Sequence, residues 1–319
     1  MSFDFDAAVV APFRMQPGLR RLAPDARHLT PCSPGSRHQR EKLAVLSAFG
    51  SQALVERPGF DAAAALGCLA AHAATEHAQH FRWDGQAATA LGVRVPADGH
   101  AVHDEHAGAF GLGDEVGRCL RALAPRWRLA ALLSLAFEED FALLDGRDGT
   151  VPWLAVALPS HWAPQDKAGL HFRSVHAPVA DNERLIAAGD KLPVLMCAGP
   201  AHERFVWSLG THPRLHAHPQ RSLREPWPVG DPEAVARAAW WRTERQTFLP
   251  LPASACGGPM AVFTIGVQVT PLVQALAGPG QARRLHAALA SMSPAVLDYR
   301  GLSEARDDLL AWLEQRACE

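Results

Sequence analysis

The segment MAVFTIGVQV, Met260–Val269, decides the fold class. Ala261, Phe263, Ile265, Val267 and Val269 alternate with Met260, Val262, Thr264, Gly266 and Gln268, so an extended chain carries one wholly apolar face and one mixed face. That pattern describes a sheet strand with a core on one side and a polar site or solvent on the other. Upstream, PWLAVAL (Pro152–Leu158) is a short apolar strand closed by the LPSHW turn. LPVLMC (Leu192–Cys197) and RFVWSL (Arg204–Leu209) read as extended segments separated by the loop AGPAHE, and HFRSVHAPV (His171–Val179) leads toward another.

Helices flank this run of strands. The first forty residues read as an irregular arm, after which Ser36 and Gln39 make a capping box ahead of Leu43 and Leu46. A second helix begins near Asp61 and runs through AAAALGCLAAHAATEH, and the glycine-rich text from Asp84 to Gly113 reads as a surface excursion. Leu133, Phe137, Phe141 and Leu144 recur at helical spacing, which predicts a helix stopping at DGRDG with Glu138, Glu139 and Asp140 beside its apolar face. Asp231 followed by Pro232 predicts a helix carrying AVARAAWWRTERQTF and ending before Pro250. Three closing helical pieces follow, around PLVQAL, from Gln281 to Met292 and from Ser303 to Leu313. Helices first, strands in the middle and helices last favour α+β over a doubly wound sheet, in one domain spanning 1–319.

Composition excludes several classes of function. A formal net charge of -2, with lysines and arginines scattered, provides no basic field for nucleic acid. No apolar stretch is long enough to cross a membrane, and MSFDFDAAVVAPF lacks the basic lead of a signal peptide, so the expectation is a cytoplasmic protein. Six separated cysteines without C-x-x-C spacing suit buried thiols, with Cys197 and Cys256 kept as minor candidates for an axial thiolate. The dinucleotide, Walker, G-x-S-x-G and H-E-x-x-H motifs are absent, which weakens dehydrogenase, nucleotidase and hydrolase readings. A cofactor gripped without a local motif stays open.

The candidate chemistry is dispersed. His72, Glu76 and His80 share one face of a helix and could hold a metal, although an Ala/His-rich surface helix produces the same spacing. His100, His103 and His106 lie in the glycine-rich excursion, where solvent exposure is the simpler explanation. Glu139 and Asp140 could hold an amine or brace an arginine. His176, in an extended stretch pinned by Pro178, could face a buried metal or serve the structure. Arg242 and Arg245, three residues apart around Glu244, could reach an anion such as a haem propionate or form ordinary ion pairs.

Seven blocks carry a resemblance: PFRMQPGLRRL (Pro12–Leu22), FEEDFALL (Phe137–Leu144), LPSHWAPQDKAG (Leu158–Gly169), SVHAPV (Ser174–Val179), RFVWSL (Arg204–Leu209), TERQTFLPLP (Thr243–Pro252) and AVFTIGVQVTPL (Ala261–Leu272). In this order they resemble the haem-dependent oxidative N-demethylase catalytic subunits, also called dimethylamine monooxygenase subunit-like proteins. The resemblance implies a PAS-like curved antiparallel sheet flanked by N- and C-terminal helices, with haem b held against it. It implies O2-dependent demethylation of a small secondary amine such as dimethylamine. Electrons would come from a separate flavin/iron-sulfur reductase using NADPH, and assembly as a homo- or hetero-oligomer is left open. Residue by residue, it makes His176 the axial iron ligand and Arg204, Arg242 and Arg245 propionate or network partners. Glu244, Glu139 and Asp140 become candidates for catalysis, while Trp162 and Lys167 match family positions with structural roles. Three departures stand out: Ala180 where the family has proline, Val206 where it has asparagine, and Pro250 where it has arginine. They keep a second reading in view, a haem-binding sensor or carrier without turnover.

Overall fold

The protein is described from a computed structural model covering residues 3–222 and 225–319. Its strands are β1 (Arg20–Arg21), β2 (Leu54–Glu56), β3 (Arg82–Trp83), β4 (Ala87–Ala90), β5 (Val93–Pro96), β6 (His103–Asp104), β7 (Glu139–Asp145), β8 (Trp153–Ala155), β9 (His202–Gly210), β10 (Trp240–Leu251) and β11 (Met260–Pro271). They form two open antiparallel sheets, one of seven strands in the order β1-β9-β10-β11-β7-β8-β2 and one of four in the order β3-β4-β5-β6. Helices precede and follow the large sheet, so the fold is α+β as expected. The clear strand of the sequence is β11, central in that sheet and paired with both β10 and β7.

Two predicted helices are corrected to strands. The helix before DGRDG ends at Ala136, and Glu139–Asp145 is β7, every residue of which is buried. A strand buried on both faces reads as a continuous apolar run, which a helical period also fits. The helix begun by Asp231 ends at Ala238, and WWRTERQTF belongs to the twelve-residue β10. Side chains on β10 alternate: Trp241 enters one core while Arg242, Glu244, Gln246 and Phe248 point to the opposite face. Trp, Thr and Phe favour strand, and pairing on both edges with β9 and β11 outweighs the charged residues' helix preference.

Two segments expected to be extended are helices instead, Lys191–Ala198 over LPVLMC and Phe172–His176 over part of HFRSVHAPV. The excursion from Asp84 to Gly113 contains β4, β5 and β6 of the small sheet. Pro250 is tolerated in β10 because the pairing with β9 ends at Phe248, leaving the proline beside β11 alone. The apolar interior divides into three clusters that share the large sheet: Leu251 belongs to the largest, Trp241 to the one under the C-terminal helices, and Phe248 to the third.

Candidate functional site

Between the large sheet and the segments that cross it lies a cleft of about 820 Å³, within the range of about 300–1,000 Å³ usual for cofactor and ligand sites. Strand alternation builds its floor. Arg242, Glu244, Gln246 and Phe248 of β10 stand on one face, with Ser208, Val206 and Arg204 of β9 directly opposite the first three. Val267, Ile265 and Phe263 of β11 continue that face on the other side, opposite Glu244, Gln246 and Phe248. The far wall is the chain from Ser160 through Trp162 and Lys167 to His176, and the N-terminal arm near Phe13 closes another side.

His176 sits at the end of the Phe172–His176 helix, its ring 4.2 Å from that of Phe172. Its Nδ1 lies 2.8 Å from the Phe172 carbonyl oxygen. A carbonyl can only accept, so Nδ1 carries the proton and Nε2 keeps its lone pair. Burial pushes the imidazole pKa down to about 4, the Phe172 carbonyl opposes this, and the Arg204 and Lys167 cations add to it. The ring is therefore neutral near pH 7, with its second nitrogen free to donate an electron pair and its orientation fixed by a backbone acceptor.

Arg204 is a cation in need of an anion. Its Nε is buried without a hydrogen-bond partner, and burial lowers its pKa against the attraction of Glu244. Arg242 is differently placed. Its guanidinium donates to Ser160 Oγ at 2.7 Å, Arg214 O at 3.1 Å, and the carbonyls of Leu158, Pro159 and Leu215 at 3.3, 3.1 and 2.7 Å. Burial pulls its pKa down to about 10. Glu244 receives the Ser160 hydroxyl on one oxygen and Gln246 Nε2 at 2.6 Å on the other. Lys167 Nζ donates to the Val175 carbonyl at 2.9 Å, immediately before His176. Around the cleft, Arg14, Arg20, Lys167, Arg204, Arg242 and Arg300 outnumber the carboxylates of Glu225, Glu244, Asp298 and Glu304, a surplus of positive charge that suits an anionic ligand.

The structure separates the other expected site residues from this cleft. Arg245 points to the opposite face of β10, where Nε meets Glu203 Oε2 at 2.9 Å and Nη1 donates to the Arg27 carbonyl at 2.8 Å. Glu139 and Asp140 are buried and neither lines the cleft, Glu139 lying behind the floor and Asp140 beneath the chain at Leu158. Glu139 accepts from Thr30 N at 2.8 Å through Oε2, its Oε1 has no partner, and burial raises its pKa to about 7. Asp140 accepts from Leu158 N at 2.6 Å and lies 3.2 Å from Lys42 Nζ, both side chains being fully buried. Neither Cys197 nor Cys256 lines the cleft, and burial pushes the Cys197 thiol up to about 12, unsuited to a thiolate ligand.

Sequence reasoning missed Lys42, Ser160 and Arg300. Lys42 looked like one more surface residue of an amphipathic helix, yet its ammonium donates to the carbonyls of Phe137 at 3.0 Å and Glu139 at 2.6 Å. Arg300 lines the cleft, donates to the Trp207 carbonyl at 2.7 Å, and stacks over Phe13 and Trp207. No local signal marks a partner that lies over eighty residues away.

Residues 40–310 match the family model described as haem-dependent oxidative N-demethylase, alpha subunit-like.

Proposed function

The chain belongs to the haem-dependent oxidative N-demethylase alpha subunit-like family, and from that premise we propose that its cleft holds haem b through His176 and oxidatively demethylates a small secondary amine such as dimethylamine. The observation that carries the reading is a neutral, oriented imidazole on the far wall facing into a cleft whose floor carries an arginine with its buried Nε unpartnered. A haem offers what both lack, an iron for Nε2 and propionate carboxylates for Arg204. Bound there, haem would supply the redox metal with which O2 can be turned against an unactivated C–H bond.

The chain's own residues then divide the work. His176 would hold the iron through Nε2, and the Phe172 carbonyl keeps the ring from turning. Arg204 and Lys167 would pair with the propionates. Arg242 spends its donors on the Leu158–Ser160 and Arg214–Leu215 backbone, so it braces the wall and presents Ser160 to Glu244. Glu244, steadied by Ser160 and Gln246, is the group suited to accept an N–H from the amine cation and fix its orientation in the cleft. Aromatic walls at Trp162, Phe248 and Phe263 exclude water and favour a small cation. Glu139, Asp140 and Arg245 brace the fold rather than touch substrate. Val206, opposite Glu244 in the register, leaves the carboxylate with an apolar neighbour on β9.

Residues 1–319 act as one domain in this reading, with the large sheet serving as a PAS-like platform for the cofactor. Electrons would arrive from a separate flavin/iron-sulfur reductase using NADPH. No helix among the described residues is long and apolar enough to cross a membrane, which accords with such a partner meeting the protein in solution.

The test is the ultraviolet-visible spectrum of haem-loaded ferric protein titrated with dimethylamine. A saturable Soret shift, together with formaldehyde release when O2 and reducing equivalents are added, is the expected result. A Soret band indifferent to small amines, with no formaldehyde, would favour the sensor or carrier reading. Well-folded protein that takes up no haem would overturn both.

A further inference from the structure

We propose that His28, His72 and Glu76 form a binding site for a divalent transition metal, zinc being the best fit, outside the cleft. One donor atom from each lies within 4.8 Å of the others, the one such group among the described residues. None of the three lines the cleft. The spacing of His72 and Glu76 on the helix Ala63–Glu76 puts them one turn apart on the same face. His80 lies beyond the helix end and is exposed, so the third member comes from the N-terminal arm instead.

The arm is brought there by the carboxylate itself. Glu76 Oε1 accepts from His28 N at 2.8 Å and Oε2 from Leu29 N at 2.9 Å. This sets the two imidazoles against each other, centroids 4.8 Å apart and planes at 80°. Yet His28 Nδ1 is 3.6 Å and His72 Nε2 3.7 Å from Glu76 Oε1, too long for hydrogen bonds. The Nε2 atoms of both histidines are buried without a partner, and His28 is only 9% exposed. Unsatisfied buried nitrogens around a carboxylate are costly unless something bridges them. Neighbouring His77 is already engaged, through Nε2 with the Leu29 carbonyl at 2.8 Å and through Nδ1 with Arg27 Nη1 at 3.1 Å.

Two imidazoles and a carboxylate match zinc and its first-row neighbours rather than calcium or magnesium, which prefer all-oxygen sets. Ligand bonds of about 2.0–2.1 Å in a tetrahedron put donor atoms roughly 3.3 Å apart, so closing this triangle takes side-chain movements of about an ångström. The partial exposure of His72, 27% for its side chain, leaves a way in and a fourth position for water. The site would fasten the arm to the sheet: Thr30, two residues beyond His28, donates its N–H to Glu139 and accepts from Glu138 N at 2.8 Å.

The experiment uses tag-free full-length protein, stripped with a chelator and then given Zn2+ or Co2+. Expected are one equivalent of zinc beyond the haem iron, visible cobalt bands typical of four-coordination, and a melting temperature raised by about 5 °C at a hundredfold excess over Kd. His72→Ala, a half-exposed position that should fold, loses the equivalent and the shift, while His80→Ala keeps both. Glu76→Gln loses the metal as well. The proposal is overturned if folded wild-type protein takes up no stoichiometric metal, or if His72→Ala binds it with unchanged affinity.

Discussion

Replacing Glu139 by Gln should change how stability depends on pH, and the size of the change follows from where the side chain sits. The carboxyl is fully enclosed, one oxygen held by the Thr30 amide and the other unpartnered, and burial lifts its pKa from 4.5 to about 7. At about 1.4 kcal/mol per pH unit, ionising it inside the fold costs about 3 kcal/mol more than ionising it in the unfolded chain. The sign is fixed by proton counting. Between pH 4.5 and about 7 the unfolded chain has released this proton while the folded chain retains it, so the contribution to stability is complete below pH 4.5. It declines as pH rises through that window and levels off above about pH 7. Glutamine keeps an acceptor for Thr30 and cannot ionise. Urea denaturation at 25 °C, from pH 4.5 to 8, should therefore show Glu139→Gln gaining about 3 kcal/mol on the wild type across the range. Amine turnover should persist, because the group lies behind the cleft floor. A stability difference that is constant with pH would refute the buried, proton-retaining carboxyl, and loss of turnover in a folded variant would return Glu139 to the chemistry.

Lys42→Met strands the buried Asp140 carboxylate and two carbonyls, and should cost about 3–5 kcal/mol by chemical denaturation, with Lys42→Met/Asp140→Leu recovering part of it; a loss under 1 kcal/mol would contradict the brace. Arg204→Ala should weaken haem affinity by about 2 kcal/mol, roughly thirtyfold, through loss of a charge-assisted contact. Arg245→Ala, whose partners are Glu203 and the Arg27 carbonyl on the other face, should leave haem affinity within about twofold, and the reverse ranking would move the propionates to that face.

The outer plan of the molecule was legible where physical signals are local. Alternation announced β11, the capping pair Ser36 and Gln39 announced its helix, and Gln39 N does bond Ser36 Oγ. The helical periods over β7 and β10 give way to strands for a nonlocal reason. FEEDFALL and WWRTERQTF become strands because neighbours on both sides complete their hydrogen bonds, and β11 is far from β7 in sequence. The same distance separates what the cleft unites. His176, Arg204 and Glu244 were candidates from the sequence and resemblance, and the structure brings them to one cavity. Glu139, Asp140 and Arg245 were candidates by charge and proximity in sequence, but strand parity turns Arg245 away and burial withdraws the acidic pair. Arg242 was legible as important and illegible in role, since its carbonyl partners lie some 27 to 84 positions away. His28 could not be read as a partner of Glu76 because the loop that carries it has no periodicity of its own.

The most direct test of haem in the cleft is the Soret spectrum of His176→Gly, loaded with haem in parallel with the wild type and then titrated with imidazole. If His176 Nε2 holds the iron, the variant should lose or strongly alter the wild-type band and regain it as imidazole fills the vacated space, with the fold unchanged by circular dichroism. A folded His176→Gly protein whose haem spectrum and affinity match the wild type without imidazole would contradict the assignment.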